Sequence, residues 1–352
     1  MKLFYYKVPE GNFGDDLNAW LWEELAPGIW DDTSEVAVSG IGTILGDQMP
    51  PSPRWIVMGS GAGYTSASQD FTADQFNILC VRGPLTAMAL GLPLEKAVTD
   101  SAMLIALLPQ YRPLEEDKRS GTVFMPHHTK IRHFHRWKAA CEEAGIGFLD
   151  PTADSKQLLE RIRSAKLVLA DAMHAAITAD AMRVPWLPII ISQHTNSFKW
   201  LDWTLSMNLR YEPVRLATSS LAEELQFKVS TALGYGNTFS DLSVAGARKY
   251  FIRLEPPAQN QSKGGLKATL KKSAGALKTL SHIGFVRRFY EKLDGRHFAQ
   301  TVDSLRRAAL MKPMLSDDVT FQRRKNQMAQ HLEALKALGK SGNTAYTRKV
   351  IN

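Results

Sequence analysis

The sequence predicts an α/β protein of two doubly wound lobes facing across a cleft, followed by a basic helical extension. Three observations lead there. Short apolar runs alternate with amphipathic stretches over residues 1–215, the pattern of parallel strands joined by crossover helices. The alternation breaks at "LLPQYRPLEEDKRSG" and restarts near Gly121, so there are two series. The charge is uneven: residues 258–352 hold 19 Lys/Arg against 6 Asp/Glu, whereas the whole chain of 352 residues has a net charge of only +8. These shifts divide the chain into lobes at 1–115 and 120–215, a connecting helix and linker at 216–257, and a tail at 258–352.

In the first lobe, "LFYYKV", "VAVSGIG", "RWIVMGSGAG" and "NILCVRG" read as strands ending in glycine or polar loops. "PLTAMALGL" reads as a helix with Pro84 near its start, where a missing N–H costs nothing. In the second lobe the strands are "TVFMPHHT", "IGFLDP", "KLVLA" and "WLPIII". Its helices are "FHRWKAACEEAG", closed by Gly145, then "DSKQLLERIRSA", capped by Asp154, "AMHAAITADAM" and "FKWLDWTLSM". Beyond these come one more helix in "SSLAEELQFKVSTALG" and a linker in "PPAQNQSKGG". "LKATLKKSAGALKTLSHIGFVRRFYEKL" sets Leu266, Leu270, Leu277 and Leu280 near one helical face among lysines, and a last charged helix ends the chain.

Composition excludes several classes. With 44% hydrophobic and 22% charged residues, the chain is an ordinary globular one. No stretch approaches the roughly 20 apolar residues of a membrane span. The first residues lack the apolar core of a secretion signal, so a cytoplasmic location is expected. Two cysteines, Cys80 and Cys141, are too few for a disulfide framework or a thiolate metal site.

In parallel sheets ligands bind beyond the carboxyl ends of strands. Four loops there carry polar groups. In "GNFGDDLN", Asn12, Asp15, Asp16 and Asn18 offer groups for sugar hydroxyls or a general base, and Gly11 and Gly14 allow a tight turn. Either aspartate alone also suffices to cap the following helix. In "GSGAG", Gly59, Ser60 and Gly61 would let backbone N–H groups approach an anion, although the spacing fits no nucleotide fingerprint. Arg82 in "VRGP" offers a bidentate fork to phosphate or carboxylate, or a salt bridge. His127 and His128 in "MPHHTK" suit an oxyanion better than a metal, because no third ligand stands at a usual spacing. His174 is the fifth feature. With Asp171 as N-cap it falls at the third helical position, where free N–H groups and the positive dipole end converge.

Together "NFGDDLN", "GIGTIL", "VMGSGAG", "VRGPLTA", "TDSAMLI", "MPHHT", "DAMHAAITADAMRVPW" and "FKWLDWTLSM" resemble the polysaccharide pyruvyltransferase family over about residues 3–210. The likeness is closest to the branch that adds ketal pyruvate to exopolysaccharides such as succinoglycan. The resemblance implies Rossmann-like lobes in a glycosyltransferase-B-like arrangement. It also implies phosphoenolpyruvate as donor and an acceptor oligosaccharide on a lipid carrier; no cofactor beyond that co-substrate is expected, and no metal ligands are assigned. Many members carry Arg-Leu-His where this chain has Ala172-Met173-His174, so another cation must hold the donor: Arg82, His128 or Lys199. His174 becomes the acid or phosphate partner, Arg82 the anion clamp, and Asp15 or Asp16 the acceptor's partner. The basic tail could hold the enzyme on an anionic membrane surface, or pack across the lobes with its lysines in water. Two rivals stand beside this. One is a nucleotide-sugar glycosyltransferase of the same shape, for which Glu212 is a poor ribose partner. The other is a polyanion-binding protein; nucleic acid is not expected, since Phe285, Phe289 and Tyr290 form no stacking series.

Overall fold

Two parallel sheets, of four and five strands, organise the computed structural model, which describes residues 1–192, 195–232, 237–238, 241–252 and 284–349. The first sheet holds β1 (Lys2–Phe4), β2 (Val36–Ser39), β3 (Arg54–Met58) and β4 (Phe76–Cys80) in that spatial order. Its register pairs Leu3 with Val38 and Val38 with Ile56. The second holds β5 (Thr122–Met125), β6 (Gly147–Phe148), β7 (Leu167–Ala170), β8 (Trp186–Ile190) and β9 (Val214–Arg215), in the order β6-β5-β7-β8-β9. All pairings within the two sheets are parallel.

The helices are α1 (Phe13–Asp16), α2 (Asn18–Leu25), α3 (Pro84–Ala89), α4 (Phe134–Ala144), α5 (Ser155–Arg163), α6 (Met173–Ala181), α7 (Ser197–Ser206), α8 (Leu221–Ala232), α9 (Val244–Ile252), α10 (Gly284–Ala308) and α11 (Asp318–Lys349). Local chemistry sets several ends as the sequence predicts. Pro84 opens α3. Asp154 caps α5 by accepting the Gln157 N–H at 2.9 Å. Gly145 closes α4 in the left-handed region at φ 73°.

Only the second sheet is doubly wound. Its order reverses direction between β5 and β7, which places a crevice at their carboxyl ends. The first sheet runs consecutively instead, and only its β1–β2 link is helical. The segment joining β2 to β3 contains Gly40, Gly42, Gly46, Pro50, Pro51 and Pro53, a run that cannot propagate a helix. Gly42 and Gly46 sit at φ 134° and 151°, a region closed to other residues without strain.

One continuous apolar cluster joins the two halves. It takes Phe13, Leu17 and Leu21 from the first and Met125, Leu159, Ala170 and Ala176 from the second. Helix α6 lies within it. Ala175, Ala176 and Ala179 are fully buried, and their small side chains admit the 3-10 run Ser101–Leu107 against the helix. Helix α7 follows the second sheet's β8 in sequence yet packs on α3 of the first half.

The described part of the basic tail belongs to this body. Helix α10 packs on α4, and α11 packs on the Ser101–Leu107 run and β4. Phe321, Met328, Leu332, Leu335 and Gly339 form the buried stripe of α11. A backbone pair between Trp186 and Met314 ties the connection between them to β8. Leu266, Leu270, Leu277 and Leu280 lie outside the described residues.

Candidate functional site

The crevice between β5 and β7 becomes a cleft because the loop after β1 closes over it. The cleft has a volume of about 530 Å³ and takes walls from both halves. Asn12, Gly14, Asp15, Thr43 and Tyr64 come from the first; His127, His128, Asp171, His174 and Lys199 come from the second.

On the second-half side, β7 runs into Asp171. Its carboxylate does not cap α6. One oxygen accepts the His127 N–H at 2.8 Å and the other the Thr195 hydroxyl at 2.9 Å, so it ties three loops together. The N-cap is Ala172, without a side-chain bond, and His174 is therefore the second helical residue rather than the third. The N-terminus of α6 opens on the cleft, where its dipole favours an anion. Burial pushes the Asp171 carboxyl up to about 6, although its hydrogen bonds favour the charged form.

On the opposite wall, the loop Gly11–Asn18 divides its polar residues. Asp16 accepts the Asn12 N–H at 2.9 Å and so closes the loop on itself; neither aspartate caps the following helix, whose N-cap is Leu17 without a side-chain bond. Asp15 is held at 2.5 Å by the Asn12 side-chain amide and faces the cleft. Burial raises the Asp15 carboxyl above its ordinary range, opposed by the nearby His174 and by the Asn12 bond. Asn18 is buried and satisfied on both sides. It donates to the carbonyls of Asp15 and Ile41 and accepts from Ile41 N–H and the Trp22 indole. Asp16 and Asn18 do not line the cleft.

The imidazole of His174 sits between the halves. A β carbon on Gly14 would lie 1.8 Å from its Nδ1, so only glycine fits there. On its other side, Nε2 lies 3.7 Å from Asp100 Oδ2. The histidine side chain is 12% exposed, which is its opening to the cleft. Asp100 was not among the residues expected from the sequence. Its position before the 3-10 run in "TDSAMLI" marks it only as a cap, which it is, since Oδ1 accepts the Ala102 N–H at 2.9 Å.

The expected anion clamp is elsewhere. Arg82 is fully buried and does not line the cleft. It donates to Asp202 at 2.9 Å, to the Thr43 hydroxyl at 2.9 Å and to the Ala62 carbonyl at 2.7 Å. Asp202 also accepts the Thr86 N–H, so the pair fastens α7 to α3. The "GSGAG" loop serves this packing rather than an anion. A β carbon on Gly61 would collide with the Arg82 guanidinium, and one on Gly59 with the Ser101 hydroxyl. Ser60 is buried between Ser39 and Gly40.

Lys199 is the only lysine or arginine among the described cleft residues. Its ammonium lies 3.0 Å from the Tyr64 hydroxyl and 4.7 Å from that ring's centroid. Beside it, burial and then the Lys199 charge push His128 down to about 4, so this ring is neutral at pH 7 and is not the cation expected of it. Its buried Nδ1 has no hydrogen-bond partner and remains available to a ligand. His127 shares its Nδ1 with the Thr129 hydroxyl at 2.9 Å and stacks 4.4 Å from the His128 ring. No group of three His, Cys, Asp or Glu arranged to hold a metal occurs among the described residues.

Comparison with known proteins places the chain by its sequence. Residues 54–193, which include Arg82, the two histidines and His174, match the family described as polysaccharide pyruvyl transferase. The chain is 38% identical over 228 residues to the succinoglycan biosynthesis protein ExoV of Rhizobium meliloti (strain 1021), covering 64% of this chain and 71% of that one. No solved structure matches it. A relative 38% identical and matched over 71% of its own length, together with the family match, leads to one assignment: the chain belongs to the polysaccharide pyruvyl transferase family.

Proposed function

We propose that the protein transfers the pyruvyl group of phosphoenolpyruvate to two hydroxyls of a sugar in a lipid-linked exopolysaccharide repeat, forming a cyclic ketal. The family match and the similarity to a succinoglycan biosynthesis protein support a pyruvyl donor and a saccharide acceptor. The observation that carries the reading is His174 at the open N-terminus of α6, facing Asp15, with Lys199 in the same cleft. An anionic donor fits there. Lys199 and the α6 N–H groups meet phosphate or carboxylate, a task the sequence had given to Arg82. Two separate parallel sheets are compatible with the glycosyltransferase-B-like arrangement expected of the family, the first of them without its double winding.

In this reaction His174 delivers a proton to the vinyl carbon of the donor, leaving an oxocarbenium-like centre at C2. One sugar hydroxyl adds to that carbon and loses its proton to Asp15, whose raised pKa makes it the stronger base. The C2–O bond to phosphate then breaks as the second hydroxyl closes the ring. That hydroxyl's proton leaves with phosphate, and Asp15 returns its proton to His174 through the cleft. The net result is one ketal and one inorganic phosphate.

Phosphate release from phosphoenolpyruvate, measured with a lipid-linked saccharide extract, tests this reading. Release should require the extract and vanish in His174→Ala with unchanged melting temperature. Protection against heating by nucleotide sugars, and none by phosphoenolpyruvate, would replace the reading with a glycosyltransferase.

A further inference from the structure

We propose that Asp100, delivered from the first half of the molecule, is a positioning residue that fixes the tautomer of His174 in the second. The inference rests on the reading of His174 as the proton donor, and it adds a residue to which no role has been given. Asp100 is completely buried, with one oxygen engaged as the cap of Ala102. Its other oxygen, Oδ2, has no hydrogen-bond partner, and neither has His174 Nε2. These two buried, unpartnered atoms face each other at 3.7 Å across the boundary between the halves. Buried polar atoms are rarely left without partners, so a facing pair marks a contact that completes on a further movement. An approach of roughly 0.8 Å brings it to ordinary hydrogen-bond length.

The consequence for the ring follows from the inventory of donors. A carboxylate only accepts, so the proton opposite Asp100 is on Nε2. Nδ1, which abuts Gly14 on the cleft wall, then exchanges the reacting proton. When Nδ1 releases its proton to the donor's vinyl carbon, the neutral ring keeps its Nε2 proton toward Asp100. Asp100 also holds the orientation of the ring, as a buried aspartate does behind a catalytic histidine.

Asp100→Asn gives a directional test, because the cap bond fixes how the new side chain points. Its oxygen must stay on the Ala102 N–H, so its NH₂ faces Nε2 and demands a lone pair there. Imidazole ¹⁵N spectra of histidine-labelled protein, with His174→Gln used to assign the signal, read the tautomer without any turnover. The wild-type ring should be protonated on Nε2, and the variant ring on Nδ1. Phosphate release should fall in kcat by about 10²-fold or more, with KM for phosphoenolpyruvate nearly unchanged. A wild-type ring protonated on Nδ1, or a variant of undiminished kcat, overturns the inference. The wild-type spectrum decides even if the variant does not fold. If the tautomer switches as expected and the wild type releases no phosphate from phosphoenolpyruvate, the pairing stands and the assigned reaction falls.

Discussion

Gly14 and His174 meet so closely that nothing larger than a hydrogen fits between them: a β carbon on Gly14 would stand 1.8 Å from Nδ1. Behind the imidazole the buried Asp100 leaves it a retreat of only roughly 0.8 Å before hydrogen-bond length is reached. Gly14→Ala must therefore displace the ring. A displacement near 1 Å at a reacting group costs about 10²-fold in rate. Phosphate-release assays should show that loss, and wild-type kcat in the variant would remove His174 from the chemistry.

Arg82 should govern stability. Removing one member of a fully buried, hydrogen-bonded ion pair typically costs about 3–5 kcal/mol. Arg82→Ala should lose that much in urea unfolding, since it strands Asp202 and frees α7 from α3. Arg82→Lys should also weaken the fold, because one ammonium cannot reach Asp202, Thr43 and Ala62 in three directions.

Lys199 should behave in the opposite way. Lys199→Met leaves the buried core intact and should raise KM for phosphoenolpyruvate about tenfold or more, with a melting temperature close to wild type. Partial recovery in Lys199→Arg would identify charge as the cause. An unchanged KM would mean that the α6 N-terminus alone holds the donor.

The pH dependence of stability contains two opposed contributions. The Asp171 carboxyl titrates at about 6 in the fold, above its ordinary 3.8, so the folded state binds the extra proton. Its stabilising effect is present at low pH and fades as pH rises from about 4 to 6, by something on the order of 3 kcal/mol. His128 is pushed down to about 4 from 6.5, so the unfolded state binds the extra proton and stability grows as pH rises through a similar window. The two slopes largely cancel. Relative to wild type, chemical denaturation between pH 4 and 6.5 should show a profile tilted upward with pH in Asp171→Asn and downward in His128→Phe. Parallel profiles in all three proteins would contradict these shifts.

The expectation that the basic tail meets an anionic membrane can be tested on residues 258–283. Deleting α11 exposes Phe321, Met328, Leu332 and Leu335, each worth about 1.5–3 kcal/mol of burial, and should unfold the protein. Replacing 258–283 by a short glycine-serine linker should keep the melting temperature and abolish pelleting with anionic liposomes. Equal pelleting with and without the segment would leave the membrane without a role for it.

What the sequence reveals is whatever depends on near neighbours. Pro84, Gly145 and Asp154 end their helices by contacts within a few residues, and alternating apolar runs mark the strands. The cleft was legible too, because strand ends gather their loops whatever fills them. Roles set by distant partners were not. Arg82 reads as a surface fork until Asp202, 120 residues away, is seen to claim it. Asp171 reads as a helix cap until the His127 N–H turns it aside. Asp100 gives no signal beyond its cap, since its relation to His174 crosses from one half to the other. The first sheet departs from the double winding the sequence predicts because a glycine- and proline-rich connection stands where a crossover helix would run.

Met328 of α11 touches Cys80 of β4 across 248 residues of chain. A ribosome makes that strand long before it makes the helix that shields it. Through most of translation the nascent first half presents a naked greasy flank, and the sheet cannot reach its final state by itself. Such distant closure slows folding and exposes the emerging chain to self-association. The last cover of the first sheet is thus supplied only when residues near 335 have been made.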